Sequence, residues 1–158
     1  MAPLVSTASM RIEVSTAIRR PAAAVFDFVA ARHFENHPRW DPSVLSMEPA
    51  TPGPVGVGTR AIVRRKRGGA DEILEVMEFD PPRRFRTRDN IGPFLLDAEA
   101  VVQPVGEEAS HLTIRTSTEV SGPMKVVAPL LRPIFKRQVR KSAARIKEMV
   151  EGEGAGAP

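Results

Sequence analysis

Apolar residues fall on every second position along most of this chain and switch to every third or fourth near its end. In RIEVSTAIR, residues 11–19, Ile12, Val14, Thr16 and Ile18 share one face, the period of a strand with one side buried. Arg20-Pro21 ends that run, and proline suits the first position of a helix. The spacing then predicts a helix over 22–31, with Val25, Phe28 and Val29 on one side and Phe26 at its edge. HFENHPRWDP, residues 33–42, reads as a short helical turn stopped by Pro38, because proline disfavours the α conformation in the residue before it. VLSMEPA (44–50) is strand-like, and TPGPVGVG (51–58) is a turn region dense in proline and glycine. Further strands are predicted over 58–67, 70–80, 83–91, 94–104 and 109–121, with RGG, DPPR, IGP and PVGEE between them. Connections this short make hairpins, so the sheet is antiparallel.

From 123 to 151 the period becomes helical. Val127, Leu131, Ile134, Phe135, Gln138, Val139, Ala143, Ile146, Met149 and Val150 form one stripe, with lysines and arginines mostly off it. Pro129 and Pro133 predict a kink or break, followed by an unbroken helix from about 134. EGEGAGAP reads as a frayed tail. The division is a flexible tail over 1–10, one domain over 11–151, and a flexible tail over 152–158. One long helix cannot cover a seven-stranded sheet by flat packing, but a strongly curved α+β sheet wrapped round it can. That grip leaves space between sheet and helix, a natural ligand cavity.

Composition narrows the chemistry. The 158 residues suffice for one domain with a real core. The chain has no cysteine, which excludes disulfides, thiolate nucleophiles and cysteine-ligated zinc, and fits a cytoplasmic location. No apolar run approaches the roughly 20 residues that span a bilayer, and MAPLVSTASM lacks the charged start and apolar core of a signal peptide. The net charge of +4 permits contact with anionic membrane or nucleic acid without requiring it.

His33 and His37 are spaced to share a helical face, as two zinc ligands would. A third ligand would have to be Glu35, Asp41 or the distant His111, and no second motif supports one, so no metal or other cofactor is expected. His33, His37 and Asp41 remain weak candidates for an acid or base at a cavity mouth. Trp40 reads as a buried plug where the short helices meet the next strand. RRKR at 64–67 runs from a strand into a Gly-Gly turn, without the aromatic interleaving that single-stranded nucleic acid needs, and reads as a solvated edge. Alternation puts Leu96, Ala98 and Ala100 on the face opposite Asp97 and Glu99. Charges outside leave the cavity few ionisable groups.

Several stretches resemble the START-like superfamily, in particular bacterial polyketide cyclase/dehydrase-like (SRPBCC) proteins. They are Ile18-Arg19-Arg20-Pro21 leading to Val25-Phe26-Asp27-Phe28-Val29, Pro38-Arg39-Trp40-Asp41-Pro42-Ser43-Val44, Val57-Gly58-Thr59-Arg60 and Phe79-Asp80-Pro81-Pro82-Arg83-Arg84-Phe85. The resemblance implies a helix-grip fold, like that of birch-pollen allergen: seven antiparallel strands around a long C-terminal helix, closed at one end by two short helices. It also implies a cavity for hydrophobic molecules such as lipids, sterols, polyketides or quinones. From their positions, Phe28, Trp40, Ile62, Met77, Phe85, Phe94, Leu96, Ile114, Leu131 and Phe135 are expected to line it, with Thr87, Asn90 or Thr116 orienting the ligand. The expected function is carrier or sensor of a lipid-, polyketide- or isoprenoid-like molecule. The alternatives are a metal-free polyketide cyclase, aromatase or dehydrase of lyase type, and a module whose basic surface meets another macromolecule. The basic flank of the last helix would meet anionic membrane transiently. A monomer or a homodimer is expected, with no nucleic-acid partner.

Overall fold

The computed structural model describes residues 8–92 and 94–155. The tail expectations for residues 1–7 and 156–158, and Pro93 of the IGP turn, lie outside the described residues. Strand β1 (Ala8–Ile18) is followed by α1 (Ala22–Phe26), which continues as a π-helical turn over Asp27–Ala31, and by α2 (His33–Trp40). Six strands follow: β2 (Val44–Pro49), β3 (Arg60–Arg65), β4 (Glu72–Asp80), β5 (Arg84–Ile91), β6 (Phe94–Pro104) and β7 (Ser110–Val120). A 3₁₀ turn (Gly122–Val126) leads into α3 (Ala128–Ala155). The sheet is antiparallel throughout, in the order β1-β7-β6-β5-β4-β3-β2. The curved seven-stranded sheet and long C-terminal helix make this the helix-grip fold.

Two packed clusters hold the two ends of the concave face. At one end Phe28, Phe34 and Trp40 of the helical segments meet Val44, Val63, Val76, Phe85 and Val102 of the strands, with Ile146 and Val150 of α3. At the other, Met10, Ile12, Val120 and Ala128 pack with Phe94, Leu131, Phe135 and Val139.

The departures from the sequence reading have local causes. Pro38 sits inside α2 instead of ending it. Pro133 sits inside α3 without breaking it. It removes the bond to the carbonyl of Pro129, and both prolines are exposed, so water can serve that carbonyl. Ile134 is 54% exposed and leaves the buried stripe. Residues 8–10 belong to β1, where Met10 is buried, and 152–155 are helical.

The helix end is pinned from a distance. Glu151 accepts from the Arg19 backbone N–H at 2.9 Å and from Lys147 Nζ at 3.0 Å. Glu153 takes two bonds from Arg32, at 3.1 and 3.0 Å. Arg20 Nη1 donates to the carbonyl of Val150 at 2.9 Å, and its side chain crosses Gly154, where a Cβ would fall 2.5 Å from Arg20 Cδ.

Candidate ligand-binding site

The strand pairing lays inward-facing side chains out in rows. One row is Val76, Thr87, Ala98, Thr116 and Ile12. The next is Leu74, Asp89, Leu96, Thr118 and Met10, and a third holds Phe85, Ala100, Ile114 and Val14. The ends of the first two rows at Leu74, Val76, Met10 and Ile12 are buried, although Val14 at the end of the third is half-buried. The middle is not sealed: Leu96, Ala98 and Ala100 of β6 and Ile114, Thr116 and Thr118 of β7 are only half-buried. Alanines and threonines at the centre leave room that leucines or phenylalanines would fill. The result is a band of apolar and small side chains between the two packed clusters.

The expected ligand residues divide accordingly. Leu96 lies in the band, and Ile114 borders it, packed against the first cluster. Phe94, Leu131 and Phe135 border it in the second cluster, the two rings meeting edge-on at 6.0 Å. Phe28, Trp40 and Phe85 lie inside the first cluster, at 0%, 6% and 3% exposure. Met77 is the extra residue of a bulge between Val76 and Glu78, which keeps both Val76 and Phe79 in contact with the core. Ile62 is corrected. It pairs with Ile73, which is 49% exposed, while Ala61 and Val63 take the buried phase at 0% each. Asn90 is corrected too: it is exposed, out of phase with buried Thr87 and Asp89.

The convex face is a ladder of alternating charge. Arg115 bonds Glu13 at 2.9 Å and Glu99 at 3.1 Å. Asp97 sits between Arg86 at 3.5 Å and Arg88 at 3.2 Å. A depression of about 540 Å³ is lined by these charged groups, Arg88 aside, together with Ile12, Ala98 and Thr116 of the first row and Arg132 and Lys136 of α3.

A polar thread runs along the edge of the site. His33 Nδ1 lies 2.8 Å from the carbonyl of Val29, His33 Nε2 lies 3.0 Å from His37 Nδ1, and His37 Nε2 lies 3.3 Å from Asp41 Oδ2. Ser43 Oγ donates to Asp41 Oδ1 at 2.7 Å and accepts from Arg65 Nη1 at 2.9 Å. Arg65 then reaches Glu72 from Nε at 3.1 Å and Asp89 from Nη2 at 3.5 Å. A carbonyl only accepts, so His33 Nδ1 donates to Val29. Burial first, and the neighbouring His37 second, hold the His33 pKa down to about 3. Its Nε2 is therefore an acceptor, and His37 donates to it. His37 Nε2 in turn faces the Asp41 carboxylate. His37 also stacks on Trp40, centroids 5.1 Å apart. Burial pushes the Asp41 carboxyl up, but His37 and Ser43 outweigh it and hold it well below the usual range. Each ring nitrogen of the histidines and each oxygen of Asp41 thus has a protein partner, which suits a bracing role.

The far end of the thread differs. Asp89 is 4% exposed, and its Oδ1 has no hydrogen-bond partner. Burial and then the charge of Glu72 push its pKa up to about 7, against the pull of Arg65. Two sequence expectations are corrected here: the site does contain an ionisable pair, and Arg65 of RRKR is a half-buried ion-pair partner and not a solvated edge. The signal was present. Arg65 continues the phase of Ala61 and Val63, Glu72 that of Leu74 and Val76, and Asp89 that of Phe85 and Thr87.

Comparison with known proteins agrees with this architecture. A family model described as polyketide cyclase / dehydrase and lipid transport matches residues 9–151. A START superfamily protein from Mycobacterium smegmatis is 16% identical, with TM-score 0.71, covering 90% of this chain and 97% of that one. Truncated norcoclaurine synthase from Thalictrum flavum is 18% identical, with TM-score 0.69, covering 94% and 98%. One di-domain ARO/CYC protein, BexL, is 17% identical, with TM-score 0.69, covering 90% of this chain and 46% of that one. At these identities the likeness is one of fold. No curated protein matches the chain.

Proposed function

The chain belongs to the polyketide cyclase/dehydrase and lipid transport family, whose fold binds hydrophobic ligands, and from that premise we propose that it carries or senses a lipid-, polyketide- or isoprenoid-like molecule. The observation that carries this reading is the half-buried band of Leu96, Ala98 and Thr116, flanked by Ala100 and Ile114 against the first cluster and by the second cluster beyond. Covering such a band stabilises the complex by about 25 cal/mol per Å² of apolar surface, before association costs. Thr87, Thr116 and Thr118 face it with hydroxyls that can orient a polar substituent. Among the described residues no helix is long and apolar enough to cross a membrane. The test is native mass spectrometry of the purified protein, beside an Ala98→Phe variant that fills the band. A bound apolar molecule in the wild type and none in the folded variant supports the reading. A wild type that arrives empty and takes up no apolar probe sinks it.

A second reading is a cyclase or dehydrase acting on the same ligand, and Glu72 with Asp89 is the observation that favours it. A carboxyl with a pKa of about 7 can give or take a proton near neutrality. In a dehydration, a base takes the proton beside a carbonyl and an acid returns one to the departing hydroxyl, which leaves as water. Asp89→Asn would then abolish turnover while leaving ligand binding intact. If binding and turnover both survive, Asp89 is not the acid.

A further inference from the structure

The outer side of the start of α3 and of the turn before it is apolar, and it includes Val127 and Ile134 of the stripe expected to be buried. Val126 is 75% exposed, Leu130 76% and Ile134 54%, with Val127 and Met124 beside them at 37% and 36%. Leu130 and Ile134 are one helical turn apart, and Arg137 and Lys141 continue the same stripe, both exposed. No acidic residue lies between Glu119 and Glu148, while eight lysines and arginines do. An apolar strip that runs into a cationic one is the profile of a helix lying in a membrane interface.

The geometry points to this face, Gly122 to Lys141, as a docking surface for an anionic bilayer: Val126, Leu130 and Ile134 enter the headgroup boundary, and Arg137 and Lys141 pair with lipid phosphates. Charge decides between occupants. A second copy would bring an equally cationic strip against this one, and a nucleic acid would leave the apolar side chains without a partner. Anionic lipid satisfies both halves at once. The buried stripe of Leu131, Phe135 and Val139 faces the second cluster, so docking leaves the fold intact. The inference does not rest on the ligand reading: a protein that binds vesicles yet arrives empty fails one and not the other.

The experiment is vesicle flotation with phosphatidylcholine alone and with about one third phosphatidylglycerol, at low and at about 0.5 M salt. Wild type floats with the anionic vesicles at low salt and not with the neutral ones. A Val126→Ser, Leu130→Ser, Ile134→Ser variant, and separately an Arg137→Glu, Lys141→Glu variant, each lose at least about tenfold in partitioning. Folding is checked by urea midpoint. Should the triple variant unfold, Leu130→Ser alone must lower partitioning. Failure of the wild type to float with anionic vesicles overturns the inference, as does undiminished floating of the serine variants. A wild-type dimer in light scattering that the serine variants dissolve overturns it in favour of a second copy.

Discussion

Replacing Asp89 with asparagine should flatten a pH dependence built into the buried acid pair. The Asp89 carboxyl moves from an ordinary 3.8 to about 7 on folding. A raised carboxyl favours the folded state while it is protonated. Its contribution is fully retained below the unfolded value and is lost as pH rises from 3.8 towards 7. A shift of about three units corresponds to roughly 4 kcal/mol, at about 1.36 kcal/mol per unit. Its side chain is 5% exposed, so solvent does little to screen the effect. The assay is urea unfolding of wild type and Asp89→Asn at pH 4 and pH 8. The difference between the two proteins should swing by roughly 4 kcal/mol in favour of the variant on going to pH 8. Glu72→Gln keeps the burial and removes the second cause, so the swing shrinks without vanishing. A wild-type-to-variant difference that is the same at both pH values refutes the reasoning.

Glu151 gives a swing of the opposite sign. The Arg19 backbone N–H, with Lys147, lowers its carboxyl to about 2, so its contribution is present above pH 4.5 and lost as pH falls towards 2. Glu151→Gln should therefore lose stability at pH 6 and converge with wild type in acid-unfolding curves. Trp40→Ala should cost about 3–5 kcal/mol in urea unfolding, because the ring is 6% exposed and meets Phe28, His33 and His37. A cost under about 1 kcal/mol would remove Trp40 from the core. Ile62→Thr should change stability by less than about 1 kcal/mol and leave apolar probe binding unchanged in fluorescence titration, since Ile62 faces away from the band.

The strands were legible because alternation over β5 to β7 is long and the turns between them are short. The charge ladder followed from the same period, which puts Asp97, Glu99 and Arg115 out of phase with Ala98 and Ile114. Ile62 was not legible, because Ala61, Ile62 and Val63 are apolar in both phases and the larger residue takes the wrong one. The bulge at Met77 leaves no mark in the sequence, since it depends on how β4 meets β5. Ile134 was misassigned because it neighbours Phe135, and only the packing of the second cluster separates them. The Arg65, Glu72 and Asp89 cluster was readable residue by residue. Its meeting depends on the register of three strands, which no single segment encodes.

The clasp of Arg19, Arg20 and Arg32 on the end of α3 joins residues 121 to 132 positions apart, and Ser15 likewise waits for Thr113 across 98 positions. A ribosome making this chain vectorially releases β1 and the two short helices long before their partners exist. Such long loops slow folding, because closure entropy is lost before the contacts reward it. The nascent chain therefore holds Val25, Phe28 and Trp40 incompletely covered until the strands and the last helix emerge, and that interval is when chaperones have most to protect.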